Sequence, residues 1–264
     1  MLLPRACLSL AALACAVNAG ADLAEAKARG ALRVIVMTPR GRDEFFPVRP
    51  DPEPGFDREV LDGFAQLQRV KLQVVPAASW DALVPDLLAG KGDLIAGRFT
   101  VTESRKKLIA FTSEVFPTRN VVLTRRPHRV VRTVEELREE KVGTVKGTSL
   151  AEAVAAAGVP KPSVDETIPS GTLPDALKVG QVTAVVLGVE NAISAQRVDP
   201  ALQLGLFLGA PTSLAYGVRK GDVELRKALD EYIENLRRTA TWSRLVVKYF
   251  GEMAPQVLKK ARAE

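Results

Sequence analysis

Short apolar runs alternate with amphipathic segments along most of this 264-residue chain. Residues 32–37, 71–75 and 182–187 have the length and apolar content of buried strands. Residues 57–67 and 223–237 instead place their apolar side chains at helical spacing. Strands that alternate with helices predict parallel sheets covered by helices on both faces. The sequence therefore predicts an α/β fold.

The segment 93–105 joins one such strand to the next helix through a tight turn. The strand ends at Ala96, Gly97 makes the turn, and a helix begins near Thr102, which puts Arg105 in its first turn. Backbone N–H groups at a helix start favour anions, and a guanidinium can bind a carboxylate through two parallel hydrogen bonds. The spacing is typical of a small-anion site, and equally of a surface arginine at an ordinary helix start.

The first 21 residues have the three parts of a secretory signal peptide. Arg5 supplies the positive charge, residues 6–17 form the apolar core, and small residues follow at the cleavage site. Both cysteines, Cys7 and Cys15, fall in this segment, so the mature chain would have no disulfide and no cysteine-ligated metal. The residues before Cys15 loosely match a lipobox, which makes lipid anchoring the less favoured alternative. The leader predicts a periplasmic protein.

Composition narrows the function classes. The formal net charge is +6, but the basic residues are scattered and no basic run is interleaved with aromatics, so no nucleic-acid partner is expected. No segment after the leader reaches the ~18 apolar residues of a membrane span. His128 is the only histidine, which argues against a Ser-His-Asp triad and a multi-histidine metal site. Neither a metal nor a cofactor is predicted.

Several motifs occur in the order in which a known family carries them. They are residues 55–60, 80–97, the pattern Thr100-x-Thr-x-x-Arg105, and residues 111–113, 142–149, 216–222 and 248–251. Together they resemble the family 3 extracytoplasmic solute-binding proteins, which are the polar-amino-acid receptors of ABC importers. The resemblance covers roughly residues 30–251, and it is more specific for the fold than for the function.

The resemblance implies a two-lobed periplasmic-binding-protein type II fold. Each lobe would be a mostly parallel sheet flanked by helices, with two crossover strands as the hinge. We assign residues 1–21 to the signal peptide, residues 22–122 and 214–264 to lobe 1, and residues 123–213 to lobe 2. A cleft between lobes is a usual place for a small ligand, and closure around that ligand is the expected motion.

The resemblance also implies ligand-binding residues in lobe 1. Arg105 matches the position that holds the α-carboxylate of the ligand, and Thr100 matches a hydroxyl that contacts the same group. Phe45 matches an aromatic that packs on the ligand. Trp80 matches a residue that touches the ligand side chain, although an apolar residue near a helix start is also typical of a core position.

In lobe 2 the resemblance points to Thr148 and Ser149, which begin a helix after Gly147. Backbone N–H groups and the helix dipole at such a turn favour an anion. The pattern Ser149-x-x-Glu152 is also typical of a helix cap. The two roles are compatible, because the cap uses one donor and leaves the others.

Two positions depart from the family pattern. The aspartate that pairs with the ligand ammonium is replaced by Gly188, and Glu190 either takes its place or is a solvated carboxylate at a helix start. Arg98 stands where the family usually carries Gly or Ser. Unless Glu190 reaches it, the ammonium of a zwitterionic ligand would be unpaired in the cleft, which is costly. The departures predict a more anionic ligand, such as an organic acid, a dicarboxylate or an acidic amino acid.

The leading hypothesis is a receptor with no chemistry of its own. It would capture a small carboxylate-bearing solute, an amino acid or an organic acid, between its lobes. It would deliver that solute, as a monomer, to the membrane permease of an ABC importer.

Two other function classes remain open. Cyclohexadienyl dehydratases resemble this fold, and Trp80, Arg105 and Glu190 could serve such a site with Glu190 as general acid. A ligand-sensing module is the third class, because sensor kinases and some lytic transglycosylases carry similar domains. Those proteins need a membrane span or a catalytic domain after Gly251, whereas only a short helical tail is expected there.

Overall fold

The computed structural model describes residues 22–37, 43–47 and 53–263. The predicted leader, with both cysteines, lies outside these residues. The helices are α1 (Leu23–Arg29), α2 (Phe56–Leu67), α3 (Leu83–Leu88), α4 (Glu103–Leu108), α5 (Val134–Arg138), α6 (Ser149–Ala156), α7 (Leu173–Lys178), α8 (Val189–Val198), α9 (Val223–Arg238), α10 (Ala240–Phe250) and α11 (Ala254–Arg262). The strands are β1 (Ala31–Val36), β2 (Lys71–Pro76), β3 (Leu94–Ala96), β4 (Ala110–Phe111), β5 (Phe116–Arg125), β6 (Val142–Gly143), β7 (Val164–Asp165), β8 (Ala184–Gly188), β9 (Leu202–Leu214) and β10 (Gly217–Val218).

Lobe 1 is built on a five-stranded sheet with the order β2-β1-β3-β10-β4. The central strand β1 pairs in parallel with β2 and β3, and β10 runs antiparallel between β3 and β4. Alternate side chains of β1 point to opposite faces, so Val34 joins the largest hydrophobic cluster and Ile35 joins a separate one. Both faces of this sheet are therefore covered, as the alternating sequence predicts.

Lobe 2 repeats the arrangement with the order β7-β6-β8-β5-β9. Strand β6 pairs in parallel with β7 and β8, whereas β5 runs antiparallel to both β8 and β9. In β8, Val185 packs into the largest cluster and Val186 into the cluster on the other face. The predicted two-lobed α/β fold is confirmed.

Strands β5 and β9 make the two crossings between the lobes. Their paired segment runs from Phe116 opposite Leu214 to Arg125 opposite Leu202. The lobe boundaries at 122 and 214 stay a prediction, and the pairing of Asn120 with β8 brings residues before 122 into the sheet of lobe 2.

The last helix, α11, lies between the lobes rather than on one of them. It packs against β5, α8 and β9, although residues 214–264 were assigned to lobe 1. Its buried residues Ala254, Leu258 and Ala261 belong to the largest hydrophobic cluster, which contains residues of both lobes. Among the helices of the described residues, none has the length and hydropathy needed to cross a membrane.

Candidate ligand-binding cleft

A cavity of about 450 Å³ lies between the two lobes and continues into lobe 2. This volume falls in the range of roughly 300–1,000 Å³ that is usual for small-molecule sites. The predicted site residues that line it are Trp80, Arg98, Thr100, Arg105, Thr148, Ser149 and Glu190. The structure therefore brings together seven of the eight predicted residues, and Phe45 is the exception.

Hydrogen bonds between side chains join the lobes across the cleft. They run from Ser149 Oγ to Thr100 Oγ1 (3.1 Å), from Trp80 Nε1 to Ser170 Oγ (3.3 Å), and from Ser104 Oγ to Glu152 Oε1 (3.2 Å). The lobe 1 members come from two segments of the chain, one with Trp80 and one with Thr100 and Ser104. The two lobes are thus in contact around the cavity, and the cavity is walled by both.

Arg105 lies in the first turn of α4, whose cap is the predicted Thr102: its hydroxyl accepts the backbone N–H of Arg105 at 3.3 Å. The guanidinium lies over the ring of Phe99, with Cζ 4.2 Å from the ring centroid, and Nη1 donates to the carbonyl of Thr100 at 2.8 Å. Burial lowers the pKa of Arg105 to about 10, so it stays charged at neutral pH. The described residues leave its other N–H donors for a ligand.

The helix cap in lobe 2 falls one residue earlier than predicted. Thr148, not Ser149, is the N-cap of α6: its hydroxyl accepts from the N–H of Ala151 at 3.4 Å and donates to the carbonyl of Val145 at 2.6 Å. The hydroxyl of Thr148 is therefore used within its own turn. Ser149 is instead the residue that reaches across to lobe 1.

Arg98 occupies a left-handed backbone conformation with φ of 60°, a region that favours glycine. Its Nη2 lies 3.4 Å from a carboxylate oxygen of Asp43, which is fully buried, and its Cζ lies 5.8 Å from the ring centroid of Trp80. Its Nε is buried and has no hydrogen-bond partner among the described residues. Arg98 does face the cleft, but its charge is largely offset by Asp43.

The position of Glu190 decides between the two alternatives that the sequence left open for it. Its side chain folds back over Gly188, so that a Cβ placed on that glycine would collide with the Glu190 carboxylate. The carboxylate therefore occupies the space in which a side chain at position 188 would begin. The residue is 3% exposed, which excludes the solvated alternative.

The groups around Glu190 shift its pKa in opposite directions. Thr118 Oγ1 donates to its carboxylate at 2.5 Å. Burial nevertheless raises its pKa, with the neighbouring carboxylate of Glu44 adding to the rise and Arg98 opposing it. An ammonium group placed beside this carboxylate would oppose the shift, because a nearby positive charge favours the ionised form.

These positions correct the charge argument for an anionic ligand. Lobe 1 supplies the cation Arg105, and the carboxylates of Asp81 and Glu152 lie near enough to act on it. Arg98 is paired with Asp43, and Glu44 and Glu190 line the cavity with it. The cleft therefore holds carboxylates beside both of its arginines, and does not carry the surplus of positive charge that the sequence suggested.

Phe45 is a core residue, which corrects its predicted place in the ligand site. It is fully buried, and its ring centroid lies 5.6 Å from that of Phe56, 5.5 Å from that of Phe116 and 5.1 Å from that of Phe250. The neighbouring Glu44 lines the cavity instead. The prediction therefore assigned the correct loop to the cleft but the wrong residue within that loop.

Several cavity residues were not found from the sequence. They are Glu44, Thr118, Asn120, Ser170, Asn191 and Ser194. A charged pair, Asp43 and Glu44, beside two phenylalanines was a usable signal, because carboxylates next to buried aromatics are seldom placed without a partner. The lobe 2 residues carry no such signal in the sequence.

The turn that carries Arg98 is fastened to α2 by a buried carboxylate. Asp57 accepts the backbone N–H groups of Gly97 (2.9 Å) and Arg98 (3.3 Å), and the hydroxyl of Tyr216 lies 3.3 Å away. Burial raises the pKa of Asp57 from 3.8 to about 7.

This raised pKa predicts how stability changes with pH. Between about pH 4 and 7 the folded protein holds a proton on Asp57 that the unfolded chain has released, so the free energy of unfolding falls as pH rises, by up to about 1.4 kcal/mol per unit. Asp57→Asn keeps a neutral acceptor and should flatten that part of the profile. Urea unfolding at a series of pH values measures both proteins, and parallel profiles would contradict the assignment.

Comparison with known proteins identifies the family of this chain. The sequence model of bacterial extracellular solute-binding proteins, family 3, matches residues 48–252. The chain belongs to this family. A probable histidine-binding protein of Neisseria gonorrhoeae is 28% identical over 213 residues, which cover 78% of each protein. The crystal structure of a mutant of ArgBP from T. maritima has a TM-score of 0.78 and 27% identity, and the match covers 87% of this chain and 99% of that one.

One relative overturns a prediction. A membrane-bound lytic murein transglycosylase F of Desulfosudis oleivorans is 25% identical over 223 residues, covering 83% of this chain and 48% of that protein. This family 3 chain thus spans about half the length of the transglycosylases it matches. The sequence predicted a protein that is not an enzyme. The relatives contradict that prediction, because they include enzymes.

Proposed function

We propose that this family 3 chain binds an α-amino acid in the cleft between its lobes. The ligand carboxylate would lie on Arg105 and on the N–H groups at the start of α6, and the ligand ammonium would lie on Glu190. The observation that carries the proposal is the carboxylate of Glu190, folded back over Gly188 in the wall of the cavity that Arg105 also lines. A cation and a carboxylate in the wall of one cavity match the two charges of a zwitterion.

Arg98 makes the proposal more specific. Its guanidinium lies near Trp80 at the wall of the cavity, so a basic ligand side chain would meet a like charge there. We therefore expect amino acids with uncharged side chains to bind better than arginine or lysine. The ligand would be captured in the periplasm after removal of the signal peptide and passed to an ABC importer.

Isothermal titration calorimetry with three matched probes tests the head-group assignment. The probes are glutamine, 4-carbamoylbutanoate, which lacks the ammonium, and 4-aminobutanamide, which lacks the carboxylate. We expect glutamine to bind and both analogues to bind much more weakly, because each leaves one buried charge of the cleft unpaired. Equal binding of glutamine and 4-carbamoylbutanoate would contradict the role of Glu190.

Glu190→Gln should weaken amino acid binding by about 1.5–3 kcal/mol, on the order of 10- to 150-fold in Kd, because it removes a charged hydrogen-bond partner of the ammonium. Wild-type affinity should also fall as pH is lowered, since burial raises the pKa of Glu190 and only the ionised form pairs with the ammonium. Titrations of both proteins across pH measure this. The control is Glu135→Gln, an exposed carboxylate of the same lobe, which should bind as wild type.

A second candidate function rests on the same carboxyl group. A buried carboxyl with a raised pKa, facing a cavity that also holds a cation, is suited to donate a proton to a leaving group. Glu190 would then be the general acid of a cyclohexadienyl-dehydratase-like elimination. Incubation with prephenate and with arogenate, followed by detection of the aromatic product, separates this function from binding alone.

A further inference from the structure

The cavity continues beyond the interlobe cleft into a groove between α7 and α8. Helix α8 turns one face toward it, with Asn191, Ser194, Ala195 and Val198 at the three-, four- and seven-residue spacing of a helix stripe. From Glu190 to Val198 the helix rises about 12 Å at roughly 1.5 Å per residue. The groove is therefore longer than the head group of an amino acid requires.

The groove combines an apolar floor with polar groups along one wall. Leu187 and Leu202 are buried and line the floor. Ser194 is 7% exposed, and its hydroxyl has no hydrogen-bond partner among the described residues. Buried hydroxyls are normally paired, so this one points to a partner that the chain itself does not supply.

The polar groups on α8 suit an amide. Asn191 offers an amide donor and acceptor, and Ser194 offers a hydroxyl that can do both, one turn further along the same face. An amide group presents a donor and an acceptor in return. The ion pair between Arg125 Nε and Asp199, 2.7 Å apart, also lines the cavity at the end of α8.

We propose that this groove is a second subsite, which binds an amide-linked extension of the ligand side chain. The chemical class is an amino acid joined through its side chain to a second small residue, as in a γ-glutamyl dipeptide. The amino acid head group would be held by Arg105 and Glu190, so this inference rests on the proposed function. The extension would lie along α8, with its amide on Asn191 and Ser194.

Calorimetry with glutamine and γ-glutamylglycine tests the subsite. We expect the dipeptide to bind about tenfold tighter than glutamine, because its glycyl unit continues from the side-chain amide along the groove and adds contacts there. Ala195→Leu fills the groove and should remove that advantage while changing glutamine affinity by less than about threefold. Ser194→Ala removes a partner of the amide that both probes carry, so it should reduce the affinity of both by about fivefold. Ala155→Leu places the same substitution on an exposed position of α6 and should bind both probes as wild type.

The subsite is overturned if the dipeptide binds no tighter than glutamine, or if Ala195→Leu weakens both probes equally. Thermal melts show whether each variant is folded, and Val198→Trp, at a position 67% exposed, narrows the outer end of the groove should Ala195→Leu not fold. The proposed function fails separately: it falls if Arg105→Ala leaves glutamine binding unchanged. A dipeptide advantage that Ala195→Leu abolishes would support the groove even then.

Discussion

Replacing Arg105 with alanine is expected to weaken amino acid binding by about 2–5 kcal/mol, on the order of 30- to 5,000-fold in Kd. The guanidinium already lies in place, because it donates to the carbonyl of Thr100 and stacks on Phe99. Little side-chain entropy would be lost when a carboxylate binds to its remaining donors. Its removal also leaves the ligand carboxylate in a partly buried cleft without a counter-charge.

Two further variants make this prediction specific. Arg105→Lys keeps the charge but loses the planar pair of donors, so its affinity should fall between those of wild type and Arg105→Ala. Lys106→Ala removes the neighbouring exposed cation, which pairs with Glu103 on the surface, and should bind as wild type. Calorimetry with glutamine measures all three. Wild-type affinity in Arg105→Ala would show that the guanidinium is a packing residue only.

The pH dependence separates Arg105 from Glu190. Burial lowers the pKa of Arg105 to about 10, so the guanidinium is charged at neutral pH and affinity should not depend on its titration there. Burial raises the pKa of Glu190, so the loss of affinity that its protonation causes lies at the acidic side. Affinity should therefore fall below neutral pH through Glu190 and not through Arg105.

The sequence predicted the framework of the fold because local signals dictate it. The apolar run of β1 and the helical spacing of α2 both depend on neighbouring residues. Thr102 as a cap and Arg105 in the first turn of α4 follow from the same kind of local pattern. Such features survive in the folded protein whenever tertiary contacts do not oppose them.

The predictions for Phe45 and Arg98 were wrong because tertiary contacts, and not the local sequence, determine the surroundings of these side chains. Whether Phe45 or Glu44 faces the cavity depends on how a short loop rotates between two lobes, and no periodicity reports that rotation. The charge of Arg98 was counted without Asp43, which lies 55 residues away in the chain but within 3.4 Å in space. A count of charges along a sequence therefore cannot give the charge of a cleft.

Gly188 and Glu190 are a second case in which the sequence alone could not show where a charge lies. Gly188 alone is a departure from the family pattern, and the sequence could only offer Glu190 as a replacement or as a solvated carboxylate. In the structure the two residues belong together, because the glycine leaves the space that the longer side chain fills. The carboxylate of Glu190 thus lies where a side chain at position 188 would begin.

Phe45→Ala is expected to lower the free energy of unfolding by about 3–5 kcal/mol. Phe45 is fully buried, and its ring packs against Phe56, Phe116 and Phe250 in a cluster that joins the start of β5 to α2 and α10. Deleting the ring would leave a cavity in the middle of that cluster, and these neighbours could close it only in part. Urea unfolding measures the loss.

Trp80→Ala provides the contrast, because Trp80 is the aromatic that does line the cavity. It is only half-buried, and its indole N–H donates across the cleft to Ser170 at 3.3 Å. We expect this variant to lose affinity for glutamine by about tenfold, since both a wall of the cavity and a contact between the lobes are removed. Its stability should fall by less than that of Phe45→Ala, because less apolar surface is uncovered.

The two variants should thus separate a role in the core from a role in ligand binding for these two aromatics. Phe45→Leu, which keeps an apolar side chain in the core, should recover much of the stability and bind glutamine as wild type. The opposite result would be a stable Phe45→Ala that cannot bind glutamine, together with a Trp80→Ala that unfolds readily but binds normally. That outcome would return Phe45 to the ligand site and place Trp80 in the core, because a residue that only packs cannot change affinity while leaving stability intact.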